Sequence, residues 1–257
     1  MLIISQEEIL RAKQRADSLD SVIDRFPEHP SDPLIWTGRR YKQLRYVRNN
    51  SPCLNIGLSQ HMSSKNSLIA RVLTFLAHYT EIVPHTTSWP TFLDLGSGVG
   101  GVSINVGAVG WDSYGIESEH EFHHLALHNL SRAWNAKLLD GVDIDFAEGN
   151  FFPEGFMVCR GPDDKSDMFG EYCRDVPRNT GCYEQLGLSP DEVDVFYHYQ
   201  VERTDNLLRF LAEYGKDGAF LLLTRSMPEK YKLPLGIQEF AYSSPPPTLQ
   251  VFQKVPL

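Results

Sequence analysis

At 257 residues the chain is long for one ordinary domain and short for two, so one main core with an elaboration is expected. Hydrophobic residues at 42% and charged residues at 22% make a globular mixture and exclude wholesale disorder. Lys and Arg total 24 against 33 Asp and Glu, and the resulting charge of −9 disfavours a general nucleic-acid binder.

Taken in chain order, Met1 to Ser5 turns polar at Gln6 and is too short for the core of a signal peptide. Ser5 to Phe26 reads as an amphipathic helix, with Ser5 and Glu8 in a capping-box pattern and Ile9, Ala12, Ala16, Leu19, Val22 and Ile23 on one face. Pro27, Pro30 and Pro33 interrupt it. Arg39 to Arg48 interleaves basic and aromatic residues, as RNA-binding surfaces do, but Tyr41, Leu44 and Val47 also fit the apolar stripe of a helix with a solvated basic face. Lys65 to Val83 is a second apolar helix. Its best apolar run, Ser67 to Tyr79, is broken by Arg71 and falls short of the roughly 18 residues of a membrane span. No strand alternation precedes Trp89, so residues 1–88 are expected to form an N-terminal helical cap.

From Phe92 the texture changes to alternating strands and helices. Strands are expected at Phe92 to Leu95, Asp112 to Glu117, Val142 to Ala147, Val193 to Tyr197 and Ala219 to Thr224, with helices at Val102 to Val109, Glu119 to Trp134 and Thr204 to Tyr214. Phe151 to Glu192 reads as a long irregular insert rich in Gly, Pro and acids, including Asp163, Asp164, Asp167, Glu171 and Asp175. Ile237 to Tyr242 and Leu249 to Lys254 look like a closing antiparallel pair. Such alternation implies an α/β fold: a mostly parallel sheet covered on both faces, spanning 89–257 with the insert at about 151–192. Its ligand should sit beyond the strand carboxyl ends, where strand order reverses.

Gly96, Gly98 and Gly101 satisfy G-x-G-x-x-G spacing, and Gly96, Gly98 and Gly100 satisfy G-x-G-x-G. The context is right: a strand before, a helix after, and Glu117 ending the second strand 21 residues past Gly96. A carboxylate there can accept hydrogen bonds from both hydroxyls of a ribose. Asp94, two residues before the first glycine, separates the ligand classes, because it would repel a pyrophosphate and attract a cationic amino-acid end.

DLGSGVGG followed by YGIES resembles the first two motifs of the class I S-adenosylmethionine (SAM)-dependent methyltransferases, over roughly Phe92 to Lys254. The resemblance implies a Rossmann-like fold with a seven-stranded sheet, SAM as cofactor, and an enzyme that transfers its methyl group. It places Asp94, Gly96, Ser97 and Gly98 along the methionine and ribose side and Glu117 at the ribose. In the family the third strand is usually followed by Gly-Asp, whose acid meets the adenine amine. Here Gly149-Asn150-Phe151 stands there. Asn150 can accept from that amine or serve as a turn residue, and Phe151 can flank the ring.

The fourth strand ends in Tyr197-His198-Tyr199-Gln200. The Asn/Asp-Pro-Pro-aromatic turn of adenine and glutamine methyltransferases is missing. His198 is the candidate base, with an ordinary pKa of about 6.5 near working pH. Tyr197 and Tyr199 could contact the acceptor, although neighbours on a strand face opposite ways, and packing against the next helix is the alternative for the whole cluster. His120, His124 and His128 share one helix face, and Cys159, Cys173 and Cys182 lie in the insert. The histidine spacing could bind a metal, but no acid or cysteine is forced near it; the cysteines have no C-x₂₋₄-C pair, and no metal is expected. Cys53 completes a cysteine set with no close pair, which argues for reduced thiols and a cytoplasmic location.

The expected acceptor is a small molecule offering oxygen or nitrogen, with no membrane partner. DLGSGVG and YGIE are also similar to the Dot1-type histone lysine methyltransferases, which implies a protein substrate as the alternative. A non-catalytic SAM-binding module and a nicotinamide enzyme are the remaining rivals.

Overall fold

A computed structural model describes residues 2–3, 6–20, 69–79, 90–139, 141–160, 172–175, 181–199, 204–225, 231–240, 242–243 and 248–257. The basic segment Arg39 to Arg48, Ser5 of the expected capping box, and Asp163, Asp164, Asp167 and Glu171 of the insert lie outside those residues.

Strands β1 (Leu2–Ile3), β2 (Thr91–Leu95), β3 (Asp112–Glu117), β4 (Ile144–Glu148), β5 (Met157–Arg160) and β6 (Tyr172–Asp175) precede the fourth expected strand. They are followed by β7 (Val195–Tyr199), β8 (Phe220–Arg225), β9 (Ile237–Phe240), β10 (Tyr242–Ser243) and β11 (Thr248–Lys254). The helices are α1 (Gln6–Asp20), α2 (69–79), α3 (Gly101–Gly107), α4 (His120–Asn135), α5 (Cys182–Leu186) and α6 (Thr204–Tyr214). Seven strands form one sheet in the order β4-β3-β2-β7-β8-β11-β9. Only β11 runs antiparallel to its neighbours; the other adjacent pairs are parallel. The chain is therefore an α/β protein with a mostly parallel, Rossmann-like sheet. Strand order reverses between β2 and β7, which puts the crevice of such folds at their carboxyl ends.

Period-two alternation divides each strand between two cores. Leu93, Leu95, Ile116, Phe196, Leu221 and Leu223 face α6 and α5, where Phe152, Phe156, Phe210 and Leu211 join them. Phe92, Val195, Tyr197, Phe220, Leu222 and Val251 face the other way, against Ala16 of α1 and Val72, Phe75, Leu76 and Tyr79 of α2. The described parts of the first 88 residues thus pack directly on the sheet. Tyr79 also donates to Asp194 Oδ1 at 3.0 Å, while Thr91 N donates to Asp194 Oδ2 at 2.9 Å, tying α2 to the starts of β2 and β7.

Three expectations need correction. A strand does precede Trp89: Leu2–Ile3 pairs in parallel with Tyr242–Ser243. The stretch 151–192 is not wholly irregular, for it contains the antiparallel β5–β6 pair, α5 and a 3₁₀ turn at Pro190–Glu192. These elements are too short for periodicity to register, and stacked Phe152 and Phe156 fasten the segment to Phe210. Finally, β7 runs two residues beyond the expected Tyr197, so His198 and Tyr199 belong to the strand.

Gly115 shows how tightly β3 meets the glycine turn. A Cβ there would stand 2.6 Å from Phe146 Cδ1 and 2.7 Å from Ser97 Cβ, and the latter cannot swing away. Gly115→Ala is expected to lower stability by about 1–3 kcal/mol, read as a shifted urea or thermal midpoint.

Candidate functional site

The turn after β2 is held by its own backbone. Gly96 N and Ser97 N both donate to Ile116 O, at 2.9 and 3.0 Å, and Gly100 N donates to Ser97 O at 3.0 Å. Gly96, Gly98 and Gly100 all have positive φ, of 85°, 56° and 79°. At Gly98 a Cβ would meet nothing within 4 Å, so one face of the turn is open. Asn129 of α4 donates to Val99 O at 3.0 Å and anchors the far side.

Glu117, at the end of β3, is the hub. Its Oε2 accepts from Gly98 N at 2.8 Å, and its Oε1 accepts from Glu119 N at 2.8 Å and from Ser118 Oγ at 3.5 Å. Its carbonyl accepts from Gly149 N at 2.9 Å, joining the loop after β4. Burial raises the pKa of this carboxyl above its ordinary value, against the lowering effect of the backbone donors. A carboxylate has about four acceptor positions, so capacity remains for a ligand hydroxyl.

Asp94 is 2% exposed and lies on the Tyr197 face of the sheet, in register with Tyr197 and Gly115. Two carboxylates, Asp94 and Glu117, therefore flank the turn. Ser97 Oγ is buried and finds no hydrogen-bond partner among the described residues. A buried hydroxyl in that state is costly unless a ligand or water satisfies it.

The opposite wall comes from β7 and the segment after β4. His198, only 3% exposed, places Nδ1 2.5 Å from Leu95 O. A carbonyl only accepts, so Nδ1 carries the hydrogen in this contact. The ring borders the turn: a Cβ at Gly96 would be 3.8 Å from its Cε1. Half-buried Phe151 lies 5.5 Å away, ring centre to ring centre. Asn150 Oδ1 accepts from Phe152 N at 2.9 Å, the turn role, and Tyr183 of α5 donates to Phe151 O at 2.8 Å.

The three β7 candidates do not converge. Tyr197 is on the other face, stacked on Phe92, with its oxygen accepting from Thr224 Oγ1 at 3.1 Å. Burial, and then the Asp94 charge, push its phenol pKa up. It is a core residue, and its reading as an acceptor contact is corrected by strand alternation. Tyr199 is half-buried against the same core, and burial raises its phenol. His198 alone reaches the Gly96 and Phe151 side.

Of the α4 histidines, His120 and His124 meet edge-on at 4.3 Å, and His120 Nδ1 contacts Glu148 Oε2 at 2.7 Å. Burial lowers the pKa of His123. No cluster suited to a metal ion occurs among the described residues. Nor is any helix among them long and apolar enough to cross a membrane. Tyr183 and the backbone donors of Gly98 and Glu119 escaped the sequence reading. Tyr183 sits 32 residues from its partner, and backbone donors carry no residue-type signal.

No protein-family model matches the chain, and no curated protein matches it significantly. Among solved structures it is similar to an RNA methyltransferase from Salinibacter ruber bound to S-adenosyl-L-homocysteine, at 17% identity and a TM-score of 0.36, over 65% of this chain and 81% of that one. The putative methyltransferase yhhF of Escherichia coli matches at 12% identity and 0.44, over 72% and 84%. The plantazolicin methyltransferase BpumL, bound to the same product, matches at 14% and 0.39, over 85% and 61%.

Tyr197→Phe is expected to lower stability by about 0.5–1.5 kcal/mol through the lost Thr224 contact and to leave ligand binding unchanged, checked by denaturation and calorimetry.

Proposed function

We propose that the chain is a SAM-dependent methyltransferase acting on an oxygen or nitrogen of a small-molecule acceptor in the cytoplasm. The carrying observation is a pair of buried carboxylates at the glycine turn: Asp94 two residues before it and Glu117 bonded to Gly98 N within it. Four N–H groups of that turn, from Gly96, Ser97, Gly98 and Gly100, are already used within the protein. A pyrophosphate would meet negative charge and few donors there, whereas a ligand with an ammonium and a sulfonium is attracted.

The residues present fit the cofactor. Glu117 would accept from a ribose hydroxyl, and Ser97 Oγ, without a partner among the described residues, would gain one. Open Gly98 lets a ligand approach the backbone, and Phe151 with Asn150 would border the adenine. When bound, SAM supplies an activated methyl group on a positive sulfur. The protein's remaining task is to orient the acceptor and receive its proton. His198 is assigned that proton, at Nε2, because the Leu95 carbonyl holds its ring with hydrogen on Nδ1.

Calorimetric titration of SAM, S-adenosylhomocysteine and NAD, each separately, tests the cofactor. Binding of the first two is expected, weakened at least about tenfold in Glu117→Ala, which is about 1.4 kcal/mol. Gly98→Ala should cost about 1–2 kcal/mol of stability from its positive φ yet lose cofactor binding disproportionately. Because the Glu117 pKa is raised, its accepting form is lost as pH falls through that raised value. Affinity should therefore weaken on acidification before the ordinary carboxylate range is reached, and Glu117→Ala should abolish that trend. Binding of NAD alone would overturn the reading.

His198→Ala is expected to slow methyl transfer by about a hundred- to ten-thousand-fold while cofactor affinity stays within a few-fold. Equal turnover would remove His198 as the base. Labelled methyl recovered on a basic protein tail rather than a small molecule would favour the lysine-methyltransferase alternative. Cofactor binding without transfer would favour the binding module.

A further inference from the structure

The β5–β6 pair sets Met157 opposite Asp175, Val158 opposite Arg174, Cys159 opposite Cys173 and Arg160 opposite Tyr172. Two of the chain's four cysteines thus occupy one cross-strand position, although 14 residues separate them in sequence. Directly opposed residues share a face, and a register slip of one residue would place them on different faces. In an antiparallel ladder opposed Cα atoms stand about 4.5 or about 5.5 Å apart, depending on the site. A disulfide joins Cα atoms about 4.4–6.8 Å apart, so either site satisfies it.

We propose that Cys159 and Cys173 form a reversible disulfide that closes the β5–β6 hairpin. The thiolate of one cysteine attacks a small-molecule disulfide such as oxidised glutathione, forming a mixed disulfide and expelling one glutathione thiolate. The second cysteine, having lost its proton, attacks the protein sulfur of that bond and expels the other. The two protein thiols are oxidised, and the small disulfide is reduced to two thiols. Both ends of the hairpin lead back to Phe151: β5 follows the Phe151–Phe156 segment, and beyond β6 lies α5, whose Tyr183 donates to Phe151 O. Cys182 does not compete, since burial pushes its thiol up to about 11 and its sulfur lies 3.5 Å from Glu148 O. The inference rests on the hairpin register alone and is independent of the ligand.

The test equilibrates the full chain in glutathione buffers of graded oxidised-to-reduced ratio, then traps thiols by alkylation and maps unreduced peptides by mass spectrometry. The expected product is a Cys159–Cys173 cross-linked peptide. It should form at an oxidised-to-reduced ratio on the order of tenfold lower in native buffer than in urea, because the native register raises the effective concentration. Cys173→Ser should instead leave Cys159 as a glutathione adduct. Links from either residue to Cys53 or Cys182, equal midpoints in native buffer and urea, or adducts without a cross-link would each overturn the proposal.

Discussion

The site depends on one buried carboxylate. Glu117 reaches from the end of β3 to Gly98 N in the glycine turn and to Glu119 N at the start of α4, while its carbonyl takes Gly149 N after β4. Three loops are thereby set around a single residue, two by its carboxylate and one by its carbonyl. A buried carboxylate is costly unless hydrogen-bonded, and here two backbone donors and a serine hydroxyl offset that cost. The raised pKa records what remains of the burial penalty. An arrangement that leaves a carboxylate short of full compensation, but with acceptor capacity to spare, is primed for a ligand that donates.

The second constraint is strand alternation in β7. Neighbouring side chains must leave by opposite faces, so Tyr197 enters the core beneath α2 while His198 turns to the Leu95 and Phe151 side. The sheet register aligns His198 with Leu95, which is what allows the imidazole to meet that carbonyl. The same register sets Asp94 beside Tyr197, away from the histidine. Acid and imidazole border one turn from opposite faces of the sheet.

Much of this was legible in the sequence because the relevant contacts are local or obey a simple period. Asp112 to Glu117 and Thr204 to Tyr214 match the observed elements residue for residue, since each carries a strong alternation or a wide apolar face. The Gly96–Gly100 turn and Glu117 lie within 21 residues and follow from strand, turn, helix and strand in succession. What escaped was determined at long range. The pairing of Leu2–Ile3 with Tyr242–Ser243 spans almost the whole chain, and two-residue strands have no period to read. The end of β7 lies two residues beyond the sequence expectation because Tyr197-His198-Tyr199 mixes polar and aromatic residues whose burial depends on β2 and β8 alongside.

That division also separates the two walls of the crevice. The turn wall is made of residues of one β2–α3–β3 unit, held by backbone N–H groups that bond within the protein, and backbone bonds tolerate most side-chain replacement. The opposite wall draws Phe151 from the β4 exit, His198 from β7 and Tyr183 from α5, and the Tyr183 hydroxyl meets a backbone carbonyl across the sequence gap. A wall assembled by side chains from separate elements can be altered one residue at a time without disturbing the turn. The turn side is therefore the half fixed by backbone geometry and by the Glu117 carboxylate that bonds to it. The other half is set by side-chain packing, so a change at one aromatic there alters that wall while the sheet, held by its own strand register, stays as it is.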